Sequence, residues 1–589
     1  MICDKLPTIP GRRYSVSDEV IYDSATKGTS KQRVILKGND AVELWLQGMD
    51  AWNTWVLSNQ VADVDFSGID FTTLNVGELA NSVSFSGFKF PRGRVDFSNT
   101  KFGDGHVDFS KADFNGGDIT FFNSKFGEGS INFTDVKFGN GDVDFSSINF
   151  GHGNVDFSES SFDSGEVDFS ESSFGNGSIS FFNTKFSSGF INFFCTDFKD
   201  GDVNFFQASF GDGDVCFWNS SFGDGEIDFS YSTFGEGNID FSLSSFGKGD
   251  IYFFETKFGK GHVNFSDSAF DGPSIDFTES VFCEGELSFK KAHFGESKVT
   301  FNKAKFIKTD VDFSASEIIE SDIDLSYSEI NEGSLFFNPL KLGYKDYNFN
   351  NIAVKGNIHV SEQTTSEYVK SISFQGTNFE NVALLSGSFP CVIDLTSTLT
   401  KNHLDLSQLN CALPRRTVFP LIKKAVNPED AARLCRLKEL AEDNKHHEAA
   451  LRFHADEMRA KRWHEFGFWA SLLDISFSFF SNYGQSIIRP TISLFLLWVG
   501  LFCAYTLPSD SKTWWINSIA AKGGSSVEFI LTNSLPFVSN TKHIRETSMI
   551  EIFGNNPPDW LNIITIGQGV ISFILLFLIG LALRNRFRI

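Results

Sequence analysis

Between Pro91 and Pro273 the chain contains no proline, although 14 occur in its 589 residues. A stretch that long without proline suits a backbone whose N–H groups are committed to inter-strand ladders. Cysteine is also scarce. Cys3, Cys195, Cys216, Cys283, Cys391, Cys411, Cys435 and Cys503 share no spacing and form no Cys-x-x-Cys pair, which excludes a disulfide framework and the common zinc signatures. Residues Met1 to Ser30 lack the apolar core of a secretory signal, so a reducing, cytoplasmic setting is expected. No phosphate-binding Gly-x4-Gly-Lys-Ser/Thr loop, His-Glu-x-x-His pair or nucleophile elbow occurs, and no enzyme is expected. Positive charge is the last shortage. From Pro91 to Ile330 there are 17 lysines and arginines against 41 aspartates and glutamates, a balance of −24 that equals the net charge of the whole chain. Such a surface repels nucleic-acid phosphates and argues against direct nucleic-acid binding. It suits either a solvated, aggregation-resistant face or a mimic of duplex charge.

What is abundant is phenylalanine, 69 residues in all. From Phe85 to Phe337 a phenylalanine or aliphatic substitute returns every twelve residues, and from Phe90 to Leu342 a second follows each of them by five. A fixed period of this length identifies a stacked solenoid. Two residues before the first Phe stands Val or Ile, as in Val95, Val107, Ile119 and Ile131, so apolar side chains alternate with Asp, Asn or Ser. Alternation at period two is strand chemistry, with one face buried and one wet. Gly-x-Gly corners such as Gly103 to Gly105 and Gly211 to Gly213 are expected to supply the positive φ of a sharp bend.

Asp-Phe-Ser followed five residues later by Phe, as in Asp108 to Phe114, resembles the pentapeptide repeat. That resemblance implies a mainly β fold, a right-handed quadrilateral β-helix, with two residues inserted after every second pentapeptide here. A coil of two repeats, 24 residues, is favoured, because a twelve-residue coil is too thin for two Phe and a Val; the twelve-residue geometry stays open.

The position after the first Phe is normally Ser or Thr, yet it is aromatic at Phe122, Phe182, Phe194, Phe206, Trp218 and Phe254. In a 24-residue coil Phe182 and Phe206 share one face, and Phe194 and Trp218 the opposite one. These six residues form a candidate surface for a protein partner, for self-association or for a phage-derived trigger. No metal or cofactor site is expected. His446, His447, His454 and Glu448 read as exposed residues of a helix, and the run 210 to 217 lacks the period of calcium-binding nonapeptide repeats.

The chain divides into an amino-terminal region with a capping amphipathic helix (1–60, with Leu44, Leu46, Met49, Trp52 and Trp55 near helical spacing), the regular solenoid (61–337), its irregular end (338–417), a helical connector (418–465), an interfacial helix (466–488) and a transmembrane module (489–589). Residues 490–507 and 561–583 are each long and apolar enough to cross a bilayer. Arg459, Lys461, Arg462 and Arg489 precede the first, and Arg584, Arg586 and Arg588 follow the second, so the positive-inside rule puts both termini in the cytoplasm of a bacterial cell. Val527 to Val538 is apolar but too short to cross, and reads as a re-entrant turn ending at Pro536 or as a surface helix. Asn562, Thr565, Gln568 and Ser572 are costly in lipid unless they face helices or water, which makes them, with Pro536, the candidate pore or helix-contact residues. Two spans enclose no path alone, so a channel requires a homo-oligomer. The flanks Tyr483 to Pro490 and Leu581 to Arg588 resemble those of a two-helix module in membrane-bound bacterial pentapeptide-repeat proteins. The leading expectation is a cytoplasmic sensing or docking rod coupled to an oligomeric inner-membrane pore, in stress or antiphage defence. The alternative is a membrane-tethered acidic scaffold without channel activity.

Overall fold

The computed structural model describes residues 34–74, 82–361, 369–419, 422–506, 515–535, 541–555, 557–558 and 560–587. They form two compact units, one comprising the chain up to Ala412 with residues 443–446, the other Leu413–Glu442 with His447 onward. Pro536 lies outside the described residues.

The first unit is a mainly β solenoid over residues 35–411, with about 15 turns. Its strands are two or three residues long for most of its length, because a turn follows each one and a new segment starts every six residues. Within one coil Val143, Asn149, Val155 and Ser161 open four such segments, and they pair in parallel with Val167, Ser173, Ile179 and Lys185 of the next. Every pair is 24 positions apart, so the coil holds two repeats and four strand stacks. Past Phe337 the register loosens, from Leu335 against Ile358 to Ala383 against Leu404. Where Gly-x-Gly is lost, at Ile307 to Asp310, the corner straightens and Lys305–Asp312 becomes one strand paired along Val281–Ser288.

Inside, the phenylalanines form continuous stacks. Phe181, Phe205 and Phe229 lie with centroids 4.7 Å apart and planes within 5° of parallel, and each meets the neighbouring ladder edge-on, as Phe205 does Phe217 at 6.0 Å and 83°. Both geometries suit the ring quadrupole, adding about 0.5–1.5 kcal/mol per pair to burial. Serine or threonine three residues after the inner Phe is also buried, its hydroxyl donating to a carbonyl of the preceding coil, as Ser172 Oγ does to Phe145 O at 2.7 Å.

The corners depart from expectation. Positive φ is carried mainly by non-glycine residues, two after the inner Phe, in every repeat from Asn99 to Tyr327, with φ between 51° and 61°. Glycine takes that place only near the ends, at Gly68, Gly87 and Gly376. The second glycine of Gly-x-Gly serves another purpose. A Cβ on Gly177 would stand 2.3 Å from the carbonyl oxygen of Gly153, and on Gly153 2.1 Å from that of Gly129. Successive coils approach too closely there for any side chain.

Both ends of the ladder are covered. The expected single amino-terminal helix is two, α1 (Asn39–Leu46) and α2 (Met49–Ser58), broken at Gly48. Trp45, Trp52 and Val56 are buried while Leu46 and Met49 are exposed, and the indoles of Trp45 and Trp52 donate to the carbonyls of Ser84 and Lys89, each at 2.8 Å. These satisfy edge groups with no earlier coil to pair. At the far end, Asn444 Oδ1 accepts from Leu404 N–H at 3.1 Å and His446 Nδ1 from Leu406 N–H at 3.4 Å.

The second unit opens with an antiparallel pair, Arg415–Phe419 with Ile422–Ala425, at the start of the segment read as helical connector. Among the described residues seven helices follow: α3 (Asp430–Asp443), α4 (His447–Lys461), α5 (Phe468–Ser481), α6 (Ile488–Thr506), α7 (Trp515–Ser534), α8 (Thr541–Phe553) and α9 (Trp560–Phe587). α6 and α9 are long and apolar enough to cross a membrane. Glu457 of α4 is buried and accepts from Lys461 at 2.6 Å and Lys438 of α3 at 2.9 Å. Burial alone would raise its pKa, but hydrogen bonds from His454, Lys461 and Lys438 outweigh it and hold the carboxyl well below the usual range.

Candidate functional site

The residues that share a face of α9 follow from its spacing. Leu561, Gln568, Ser572, Leu575, Leu578 and Ala582 are its buried positions, close to a seven-residue repeat, while Ile563, Ile566, Val570 and Phe577 point outward. Asn562 is on the exposed side, and the half-buried Thr565 hydroxyl returns to its own helix at Asn562 O, 3.0 Å. Only Gln568 and Ser572 of the four described candidates therefore enter the interior.

There they meet α7, which lies along both long helices. Gln568 Nε2 donates to Ile530 O at 2.8 Å and reaches Ser534 Oγ at 3.3 Å; Ser572 Oγ donates to Ser534 Oγ at 3.2 Å; Trp498 Nε1 of α6 donates to the same oxygen at 2.9 Å. One hydroxyl thus ties three helices together. Around it pack Tyr505, Phe529, Ile530, Ile552 and Leu561 on one side and Leu494, Leu575 and Leu578 on the other. The seam is not fully satisfied. Among the described residues, Tyr505 OH, Ser526 Oγ, Asn533 Nδ2 and Gln568 Oε1 are buried without a hydrogen-bond partner. Four such atoms among α6, α7 and α9 are costly in apolar surroundings and mark places where water or another chain would be stabilising.

Of the segment read as a re-entrant turn or surface helix, Val527 to Ser534 form the last part of α7, a 20-residue helix whose Phe529 and Ile530 are buried in the seam, and 536–538 lie outside the described residues. Trp498 and Ser534 were not singled out from sequence, because neither is unusual until the helices meet.

On the solenoid the six outer aromatics occupy the corner turns. Phe122 is exposed and stands apart, whereas the other five are half-buried. Phe194 stacks on Trp218 at 5.0 Å and 16°, and Phe182 on Phe206 at 6.1 Å and 11°. The second stack continues through Tyr231, 5.3 Å from Phe206 and 5.5 Å from Phe254, giving one ladder over four coils. Tyr231 replaces the residue at position 230 as the rung by reaching over from the left-handed site beside it. Glu255 and Glu279 lie close enough to Tyr231 to oppose its ionisation, after burial the main causes of its raised pKa.

One grouping among the described residues has the composition of a metal site: His403, Asp405 and His446. None was expected. His446 Nε2 is 3.7 Å from Asp405 Oδ1, while its Nδ1 accepts the Leu406 N–H, which leaves Nε2 carrying the proton. A metal on Nε2 requires that capping contact to break, so the triad fits its role at the last coil better than a metal.

No protein-family model, curated protein or solved structure matches this chain. What fold and site define is a class, a β-solenoid continued by an apolar helical module.

Proposed function

We propose that this protein is a membrane-anchored solenoid of the pentapeptide-repeat type, with α6 and α9 crossing the inner membrane of a bacterium and both termini in the cytoplasm. The solenoid is a docking or sensing rod, with the outer aromatic ladder as its contact surface. The helical module assembles in the bilayer into an oligomeric, gated conduction path. The observation that carries this reading is the set of buried atoms on Tyr505, Ser526, Asn533 and Gln568 that find no partner among the described residues, set in helices with apolar outer surfaces. In lipid such atoms are tolerated where water penetrates or a second copy supplies partners. Purified full-length protein in liposomes, loaded with a self-quenching dye and bathed in a potassium gradient, tests it. Flux above empty liposomes supports the pore, and its absence at either polarity of voltage leaves the alternative, a tethered scaffold.

That scaffold reading has its own observation, the four-coil aromatic ladder beside Glu255 and Glu279, a surface suited to a basic partner. If deletion of the spans leaves binding and biological activity intact, the scaffold is the function.

A further inference from the structure

We propose that Arg489, Arg584 and Arg586, together with the outward face of α5, form a binding site for the headgroup of an anionic phospholipid. The inference rests on the reading that α6 and α9 span a bilayer.

α5 is inside out. A helix packed on a water-soluble protein turns its apolar stripe inward. Here Ser471, Asp474 and Ser481 are buried, while Phe468, Trp469, Leu473 and Phe479 are each more than 60% exposed. The buried polar side is fully engaged: Asp474 Oδ2 accepts from Arg462 Nε at 2.7 Å and from Tyr483 OH at 3.0 Å, and Arg462 Nη2 donates to that same hydroxyl at 2.9 Å. The arrangement fits a helix whose outer surroundings are hydrocarbon and whose protein side is polar, as at a bilayer interface.

The arginines gather at the end of this helix. Arg489, in the first turn of α6, donates from Nη1 to Ser478 O of α5 at 3.2 Å. Asn585 Nδ2 of α9 donates to Gly484 O in the α5–α6 turn at 3.1 Å, so the backbone of its chain neighbours Arg584 and Arg586 passes near that turn. All three guanidinium residues are exposed, and none has a carboxylate within ion-pair reach among the described residues. Arg489 also stands at the positive end of α6, whose first turn has no acidic residue. A cation there is unfavourable unless an anion is shared between it and the helix end. Three guanidiniums with no carboxylate partner among the described residues, on the helices that adjoin the exposed aromatic and aliphatic side chains of α5, match a phosphodiester on an acyl-chain anchor: forked donors for the phosphate, apolar surface for the chains. A zwitterionic headgroup brings its own cation and gains less.

The full chain in nanodiscs of phosphatidylcholine alone, or of phosphatidylcholine with phosphatidylglycerol, tests the site by thermal unfolding and by the lipid retained in native mass spectra. At about fivefold per arginine near an anionic surface, a preference on the order of 100-fold for phosphatidylglycerol is expected, with a raised unfolding midpoint and retained lipid. The triple variant R489Q/R584Q/R586Q should lose both gains while unfolding in pure phosphatidylcholine as the wild type does. Equal wild-type midpoints in the two lipids, or a triple variant that keeps the gain, would overturn the proposal. An equal gain from inorganic phosphate in phosphatidylcholine discs would overturn the lipid assignment in favour of a free-anion site. Failure of the wild type to co-float with either lipid would instead remove the membrane reading on which the site rests.

Discussion

The side-chain amide of Gln568 donates to the backbone carbonyl of Ile530 at 2.8 Å, joining helices 38 positions apart in sequence. Replacing it with alanine removes that bond and the contact with Ser534 Oγ. From interhelical hydrogen bonds in membrane proteins, a cost of about 0.6–1.7 kcal/mol is expected. Thermal unfolding in detergent, followed by fluorescence of the tryptophans that include Trp498, measures it; a variant as stable as the wild type would remove Gln568 from the seam's energetics.

Much of the solenoid was legible in sequence because its signals are local and periodic. The twelve-residue return of Phe85, Phe97 and Phe109, with Val or Ile two residues ahead, implies both strand and coil. The corner glycines are only partly legible: Gly103, Gly139 and Gly151 take the expected positive φ, but whether Gly177 is required for φ or for space depends on Gly153 one coil below, which no single repeat reveals. Tyr231 is not legible as a rung because it stands one residue out of register, after Ser230. The seam around Ser534 was only half visible, since polar residues in an apolar run stand out while Ser534 and Trp498 acquire meaning only from three helices meeting. His403, Asp405 and His446 are likewise joined by the fold alone.

Inner and outer phenylalanines are expected to differ sharply. Phe205→Ala opens a cavity between Phe181 and Phe229 and should cost about 3–5 kcal/mol. Phe206→Ser places in the next position the residue most other coils carry there, and should change stability by less than about 1 kcal/mol. Chemical denaturation followed by circular dichroism separates the two, and similar losses from both would contradict the assignment of inside and outside.

The corners make opposite demands on side chains. Gly177→Ala forces a Cβ against Gly153 O and should destabilise clearly, by about 1–3 kcal/mol, as overpacking does. Leu243→Asn puts a residue tolerant of the left-handed region at φ 60°, on an exposed site, and should stabilise by about 0.5–1 kcal/mol. Melting temperatures shifted in the same direction would contradict these two roles.

Glu457 sets an acid limit on the α3–α4 pair. Its folded pKa lies below the unfolded value of 4.5, so the stability it contributes is complete above that pH and is lost as pH falls towards the folded pKa. Glu457→Gln should destabilise by about 3–5 kcal/mol at neutral pH, since it leaves Lys438 and Lys461 without their carboxylate. It should also flatten the acid limb of the stability profile, read by helical circular dichroism from pH 6 down to about 3. An unchanged slope below pH 4.5 would contradict the role given to this carboxyl.

The proposed conduction path, in which polar atoms of the seam face water between several copies, is tested by recording single-channel currents from the full chain in planar bilayers. Asn533→Asp adds one negative charge per copy beside that path. Discrete conductance steps are expected from the wild type, with cation over anion permeability raised several-fold in the variant. No conductance at either voltage polarity, or a permeability ratio unmoved by the added charge, would contradict it.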